Sequence, residues 1–206
     1  MLNRILALKS RGVPTIDAVS FDTSGYTERE LSPERKIWLT DEGDGVSLRY
    51  FAQKPILPEN MPTIAALRER YLIGLAGSKT QLVECDTLEM VGCRSLRVIV
   101  KAPAAAGEIM YAASITIPRR YFSFALKILC PERDGGQRES ALREKLASGE
   151  IAAEVAGQWT PDDRSYDAEF PQSAVARARR FLARCEASVK VDTRVTSAAE
   201  FALPEL

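Results

Sequence analysis

The chain of 206 residues contains no histidine. That absence removes the Ser-His-Asp and Cys-His nucleophile systems, histidine-ligated zinc and the two-histidine iron triad together. An enzyme built from this sequence would have to work with carboxylates, lysine, tyrosine or cysteine, so the balance tips toward a non-catalytic protein. Net charge is also missing: 28 lysines and arginines meet 28 aspartates and glutamates. A nucleic-acid binder would carry a strongly basic footprint, so no nucleic-acid partner is expected. Neutrality gives little protection against self-association and is compatible with a homodimer. No run approaches the roughly 20 apolar residues that span a bilayer. The start, MLNRILALKSRG, is interrupted by Arg4 and closed by Lys9, too short an apolar stretch for a secretory signal. A cytoplasmic protein without membrane insertion is the expectation. The four cysteines, Cys85, Cys93, Cys130 and Cys185, form no Cys-x-x-Cys pair and read as buried free thiols. Nothing in the motifs implies a cofactor.

What the sequence does have is alternation. RKIWLTDEGDGVSLRYFAQ reads as a hairpin turning over 41–45. Thr63 is placed to cap a helix through IAALRERYLIGLAG, with Ile64, Leu67, Tyr71 and Leu75 on one face, Arg68 and Glu69 pointing away and Gly77 at the end. Segments 82–85 and 88–91 read as one bent strand. SLRVIVKAP, EIMYAASITIP and YFSFALKILC follow as strands, the last two joined at 118–120. Short turns between consecutive strands imply an antiparallel meander. The second faces of the late strands carry Met110, Ala112, Ala125 and Leu129, so that side should be partly covered by helices. Two candidates for cover are 137–157 and a C-terminal helix from Ser173 to Val189.

Three stretches invite a chemical reading. CPERDGGQRES places Arg133, Gly135, Gly136 and Arg138 at a strand-to-helix junction, where a helix N-terminus and flexible glycines suit an anion. It lacks a Walker lysine, and Glu132, Asp134 and Glu139 would repel an anion, so a structural turn is favoured. TPDDRSYDAEFP offers Asp162, Asp163, Asp167 and Glu169, yet the spacing fits no calcium loop, and a solvated acidic linker without metal is expected. In SAVARARRFLARCEASV, Val175, Ala178, Leu182, Cys185 and Val189 form a core stripe. Arg177, Arg180 and Arg184 form a second stripe, a solvated face or a partner-docking surface. Trp38 and Tyr50, on the two limbs of the hairpin, either pack across it or, if both face solvent, make a binding patch. Cys85 and Cys93 read as inert, although a redox pair is conceivable from their spacing.

The order of hairpin, helix, meander ending in ITIPRRYFSFALKILCPE, and helix, over residues 17 to 150, resembles the Mog1/PsbP-like fold shared with bacterial DcrB-like proteins and with effector-associated chaperones of type VI secretion. The segment YDAEFPQSAVARARRFL also resembles the ends of uncharacterised bacterial proteins in which Tyr-Asp-x-x-Phe-Pro precedes an arginine-rich helix, and GGQRES is the best local match to that group. The resemblance implies an antiparallel sheet between helices and a binding or adaptor role, and it transfers no functional residue.

The reading is therefore a single α+β domain, an antiparallel β-sheet sandwiched by helices. A lead segment (1–16) precedes a sheet-and-helix core (17–157), an acidic linker (158–172), a C-terminal helix packed on the core (173–190) and a tail (191–206). The expected function is a non-enzymatic adaptor or chaperone-like protein that binds a protein partner on an apolar, uncharged sheet face. The alternative is a small-molecule or anion-binding protein, or a carboxylate-dependent enzyme.

Overall fold

The computed structural model describes residues 12, 14–58, 63–104, 108–133, 135–151 and 160–204. Most of the lead segment, Asp134 and residues 152–159 thus lie outside the described residues. The chain is mixed α+β with one dominant antiparallel sheet. Strands β2 (Thr27–Leu31), β3 (Arg35–Leu39) and β4 (Gly45–Phe51) make a meander. Helix α1 (Ile64–Leu75) then carries the chain from the middle of the sheet to its far edge. There β5 (Gln81–Met90), β6 (Cys93–Pro103), β7 (Ile109–Pro118) and β8 (Ser123–Pro131) zigzag back until β8 pairs with β4. The order is β2-β3-β4-β8-β7-β6-β5, and every pairing is antiparallel.

Period-2 alternation sends each strand's residues to two faces. The register puts Trp38, Val46, Leu48, Ile99, Ala113, Ile115, Phe124, Leu126 and Ile128 on one face, where they form the main core. Helix α3 (Ala174–Ser188) lies on this face over β7 and β8. Its stripe Val175, Ala178, Leu182, Cys185 and Val189 is buried as the spacing required. On the opposite face Cys85, Leu96 and Val98 pack with Leu67 of α1. Thr63 caps α1 by accepting a hydrogen bond from the Ala66 amide. Leu67 is the only side chain of α1 that is fully buried. Arg68, expected to point away, instead reaches back to the Cys85 carbonyl and Asp86.

Helix α2 (Gln137–Ser148) is shorter than the 137–157 expectation. Gly149 takes a φ of 81° and closes the helix with a left-handed cap, and the part of the expected stretch from residue 152 to 157 lies outside the described residues. The short strand that the sequence suggests around Val19 to Phe21 is present as β1 (Val19–Ser20), which pairs with β9 (Lys190–Val191). Two elements had no sequence signal. Edge strand β2 is almost wholly exposed and charged. The second is the tail. After α4 (Thr193–Thr196) buries Val195 in the main core, Phe201 and Leu203 are buried in the opposite cluster. Residues 191–204 thus wrap round one end of the sheet, pairing Glu200 with Arg119 at the β7–β8 turn.

Candidate functional site

The α2 junction is built from Gly135 (φ 64°) and Gly136 (φ 77°), conformations that a residue with a Cβ adopts reluctantly. The arginines flanking them do not converge on a common point. Arg138 is 3 % exposed and donates to the Pro161 carbonyl (2.7 Å), the Asp163 carbonyl (2.6 Å), Asp167 (2.8 Å) and Ser173 Oγ (3.1 Å). Arg133 turns the other way and pairs with Asp44 at 3.0 Å. The enclosed space beside Gly136 and Arg138, lined also by Lys101, Tyr111 and Asp162, measures about 20 Å³. That is room for about one water, against the several hundred Å³ of a small-molecule site.

Residues 160–172 are not a solvated linker, and the reason is charge pairing. Asp162 is buried, accepts the Tyr111 hydroxyl at 2.6 Å and faces Lys101 at 3.7 Å. Burial first, then the Asp162 charge, pushes the Tyr111 phenol far above its ordinary range. Asp163 caps a short 3-10 turn (Arg164–Tyr166) by accepting from the Ser165 amide. Asp167 sits between Arg138 and Arg179, and Glu169 pairs with Lys145. The four acids are each held by different cations or donors, so they do not share a metal-sized point.

The arginine stripe of α3 is likewise committed inside the chain. Arg177 is buried against Asp44 and also donates to the Pro131 carbonyl. Arg180 pairs with Glu42 at 3.2 Å. Arg184 pairs with Asp22 at 2.9 Å and lies 4.8 Å over the Tyr26 ring. The three fasten α3 to the β3–β4 turn and to the segment before β2, a different set of acids from those just upstream. Trp38 is buried and stands edge-on to Phe21 at 5.5 Å, while Tyr50 leans on Phe124 at 5.0 Å. The expected partner patch of Trp38, Tyr50, Arg177, Arg180 and Arg184 is therefore revised: Trp38 and Arg177 are interior, and the others hold elements together.

The cysteines divide by face. Cys85 belongs to the α1 side and Cys93 to the α3 side, so the sheet separates them and they cannot bond to each other. All four are buried free thiols. Burial raises each one's pKa, to about 11 for Cys85, which keeps them protonated and unreactive.

Among the described residues, nothing packs over the half of the α1-side face that α1 does not reach. There β3 presents Arg35, Ile37 and Leu39, and β4 presents Ser47, Arg49 and Phe51. β8 presents Ala125, Lys127 and Leu129, and β7 presents Met110, Ala112, Ser114 and Thr116. All of these are half-buried or exposed. Phe51 and Leu129, exposed at 37 % and 38 %, are unusually bare for large apolar residues in the central strands of a sheet. At the Phe51 end run two grooves, of about 240 and 430 Å³, that share Ile56 and Leu57, the smaller of them lined by Phe51. Ile56, Leu72 and Ile73, all strongly exposed, extend the apolar surface onto the elements flanking this face. Small side chains (Ser47, Ala112, Ser114, Ala125) make the middle of the patch shallow, which lets another backbone approach closely. The expectation that the side carrying Met110, Ala112, Ala125 and Leu129 is covered by the 173–189 helix is corrected, because α3 lies on the other face with Ala113, Ile115, Leu126 and Ile128.

No protein-family model matches the chain, and no curated protein sequence matches it.

Proposed function

We propose that this protein is a cytoplasmic, non-enzymatic adaptor of the Mog1/PsbP-like kind that holds a protein partner on its open sheet face. The observation that carries the reading is the half-bare α1-side surface, where Phe51 and Leu129 are exposed in central strands. Among the described residues, one face carries α3 over β7 and β8 and the other carries α1 only over β5, with the adjoining cluster on β6, so the layer on that side is incomplete, and layers of this kind are stable when both faces are packed. The resemblance in element order to a group of binding proteins points the same way, and so does the lack of histidine. The anion-binding alternative has less support, because Arg138 is consumed by internal bonds and the space beside it holds about one water.

The test is capture from the native host with the full chain and with Leu129→Glu, a charge placed on the face. The expected result is a partner retained by the parent and lost with the variant, at unchanged melting temperature. A partner retained equally by both would move the binding surface elsewhere and end this reading.

A further inference from the structure

On the adaptor reading above, we infer that the occupant of the open sheet face is an acidic amphipathic helix of a partner protein, its carboxylates meeting Arg49 and Lys127 and its apolar stripe lying along Leu129, Ala112 and Met110.

The charge pattern is the first argument. On this face the four strands β3, β4, β8 and β7 contribute Arg35, Arg49 and Lys127 and no carboxylate at all. Arg35 stands directly opposite Arg49, and Lys127 opposite Ser47. Arg49 and Lys127 are therefore diagonal neighbours across β4 and β8, about 7–8 Å apart at their backbones. Arg35 is neutralised by Glu30 at 2.6 Å. Arg49 and Lys127 have no ion pair among the described residues, and both are exposed. On the α3 side, by contrast, Arg138, Arg177, Arg179, Arg180 and Arg184 are all paired. With no carboxylate among the residues these four strands place here, the face carries a local positive excess.

The second argument is shape. The sequence-adjacent half of the same face is already filled by a helix, α1, seated by Leu67 on Leu96 and Val98. The bare half is the neighbouring helix-sized position in the same layer, its floor made of small residues with Leu129, Met110 and Phe51 as contacts. Two cations amid apolar side chains suit a helix with an apolar stripe bordered by aspartate or glutamate, and they disfavour a purely apolar or a basic one. This corrects the expectation of an uncharged patch.

The probe is a fluorescein-labelled 18-residue peptide with leucines along one stripe bordered by glutamates, titrated into the full chain and read by anisotropy. Two counterparts carry lysine for every glutamate or serine for every leucine. The expected result is saturable binding of the first peptide alone, weakened at least tenfold by Arg49→Glu with Lys127→Glu and weakened by added salt. Equal binding of the lysine peptide, or no loss with the double reversal, overturns the inference. So does a face occupied by a second copy of the chain, seen as a dimer in sedimentation that Leu129→Glu dissociates, or binding to phosphatidylserine vesicles in place of the peptide. A host partner lost with Leu129→Glu yet indifferent to the double reversal removes the acidic helix and leaves the adaptor reading standing. Failure of both variants to affect any partner removes the two together.

Discussion

Arg177 and Asp44, 133 residues apart in sequence, meet as a buried two-pronged ion pair with Nε at 2.8 Å and Nη2 at 3.2 Å from the carboxylate oxygens. Both side chains are almost completely removed from water, and the Pro131 carbonyl takes a further bond from the guanidinium at 2.7 Å. This contact fixes the β3–β4 turn to α3, and the open face on the other side of the sheet depends on that frame.

Removing one partner of a buried pair leaves the other as an uncompensated charge, which costs about 3–5 kcal/mol. Asp44→Ala should destabilise the fold by that amount in urea titrations. Arg133 touches the same carboxylate from a side chain that is 40 % exposed, so Arg133→Ala should cost less than about 1 kcal/mol. Equal losses from the two variants would refute the assignment of Arg177 as the principal partner.

Arg138 binds α2 to residues 160–173 through a planar fork of four hydrogen bonds. Lysine keeps the charge and cannot reproduce the fork. Arg138→Lys should lower stability by about 2–3 kcal/mol and speed amide exchange across residues 160–173. Unchanged exchange there would mean that the segment is held by its other contacts.

The tail is a structural strap, so its apolar anchors are core residues. Phe201 is 5 % exposed in the cluster with Leu67 and Leu96. Phe201→Ala should cost about 3 kcal/mol, a loss that a dangling C-terminus would not show. The same strap covers Arg119, which is 1 % exposed and donates to the Ala198 carbonyl and toward Cys93. Amide exchange at the β7–β8 turn should therefore rise in the variant.

Buried thiols and phenols make the fold sensitive to alkali. Cysteine ordinarily ionises near 9, whereas burial raises Cys85 to about 11 and Tyr71 to about 12. Above pH 9 the unfolded chain therefore releases thiol protons that the folded chain keeps, so stability is full below that pH and falls as pH rises toward 11. Urea midpoints measured from pH 7 to 11 should decline beginning near pH 9. At pH 8 none of the four thiols should react with Ellman's reagent until the protein is unfolded. Rapid labelling of Cys85 in the native state would contradict its burial beneath α1.

The hairpin, the meander and helices α1 and α3 were legible because each is written in a local period. Alternation in YFSFALKILC makes a strand whatever lies beside it, and the Val175–Leu182–Cys185 stripe makes a core-facing helix. Helix α2 was overextended because Gly149 stops it by a backbone conformation that the apolar pattern does not record. Strand β2 was missed because an edge strand exposed on nearly all sides, TEREL, carries no alternation.

The candidate site was legible only in its apolar half. Met110, Ala112, Ala125 and Leu129 suggest a second face covered by the 137–157 and 173–189 helices, but nothing local could say that α3 would take the other face or that α1 would cover β5 and stop short of β7. Nor could spacing assign Arg177 to Asp44, Arg184 to Asp22, or Arg138 to the Asp163 carbonyl, since charges choose partners by proximity in the folded state. The sequence by itself determined most of the strands and helices, the lack of histidine chemistry and the zero net charge. Tertiary structure decided which arginines are spent inside and which two cations are left on a bare sheet face, because burial and ion pairing are set by contacts between residues far apart in the chain.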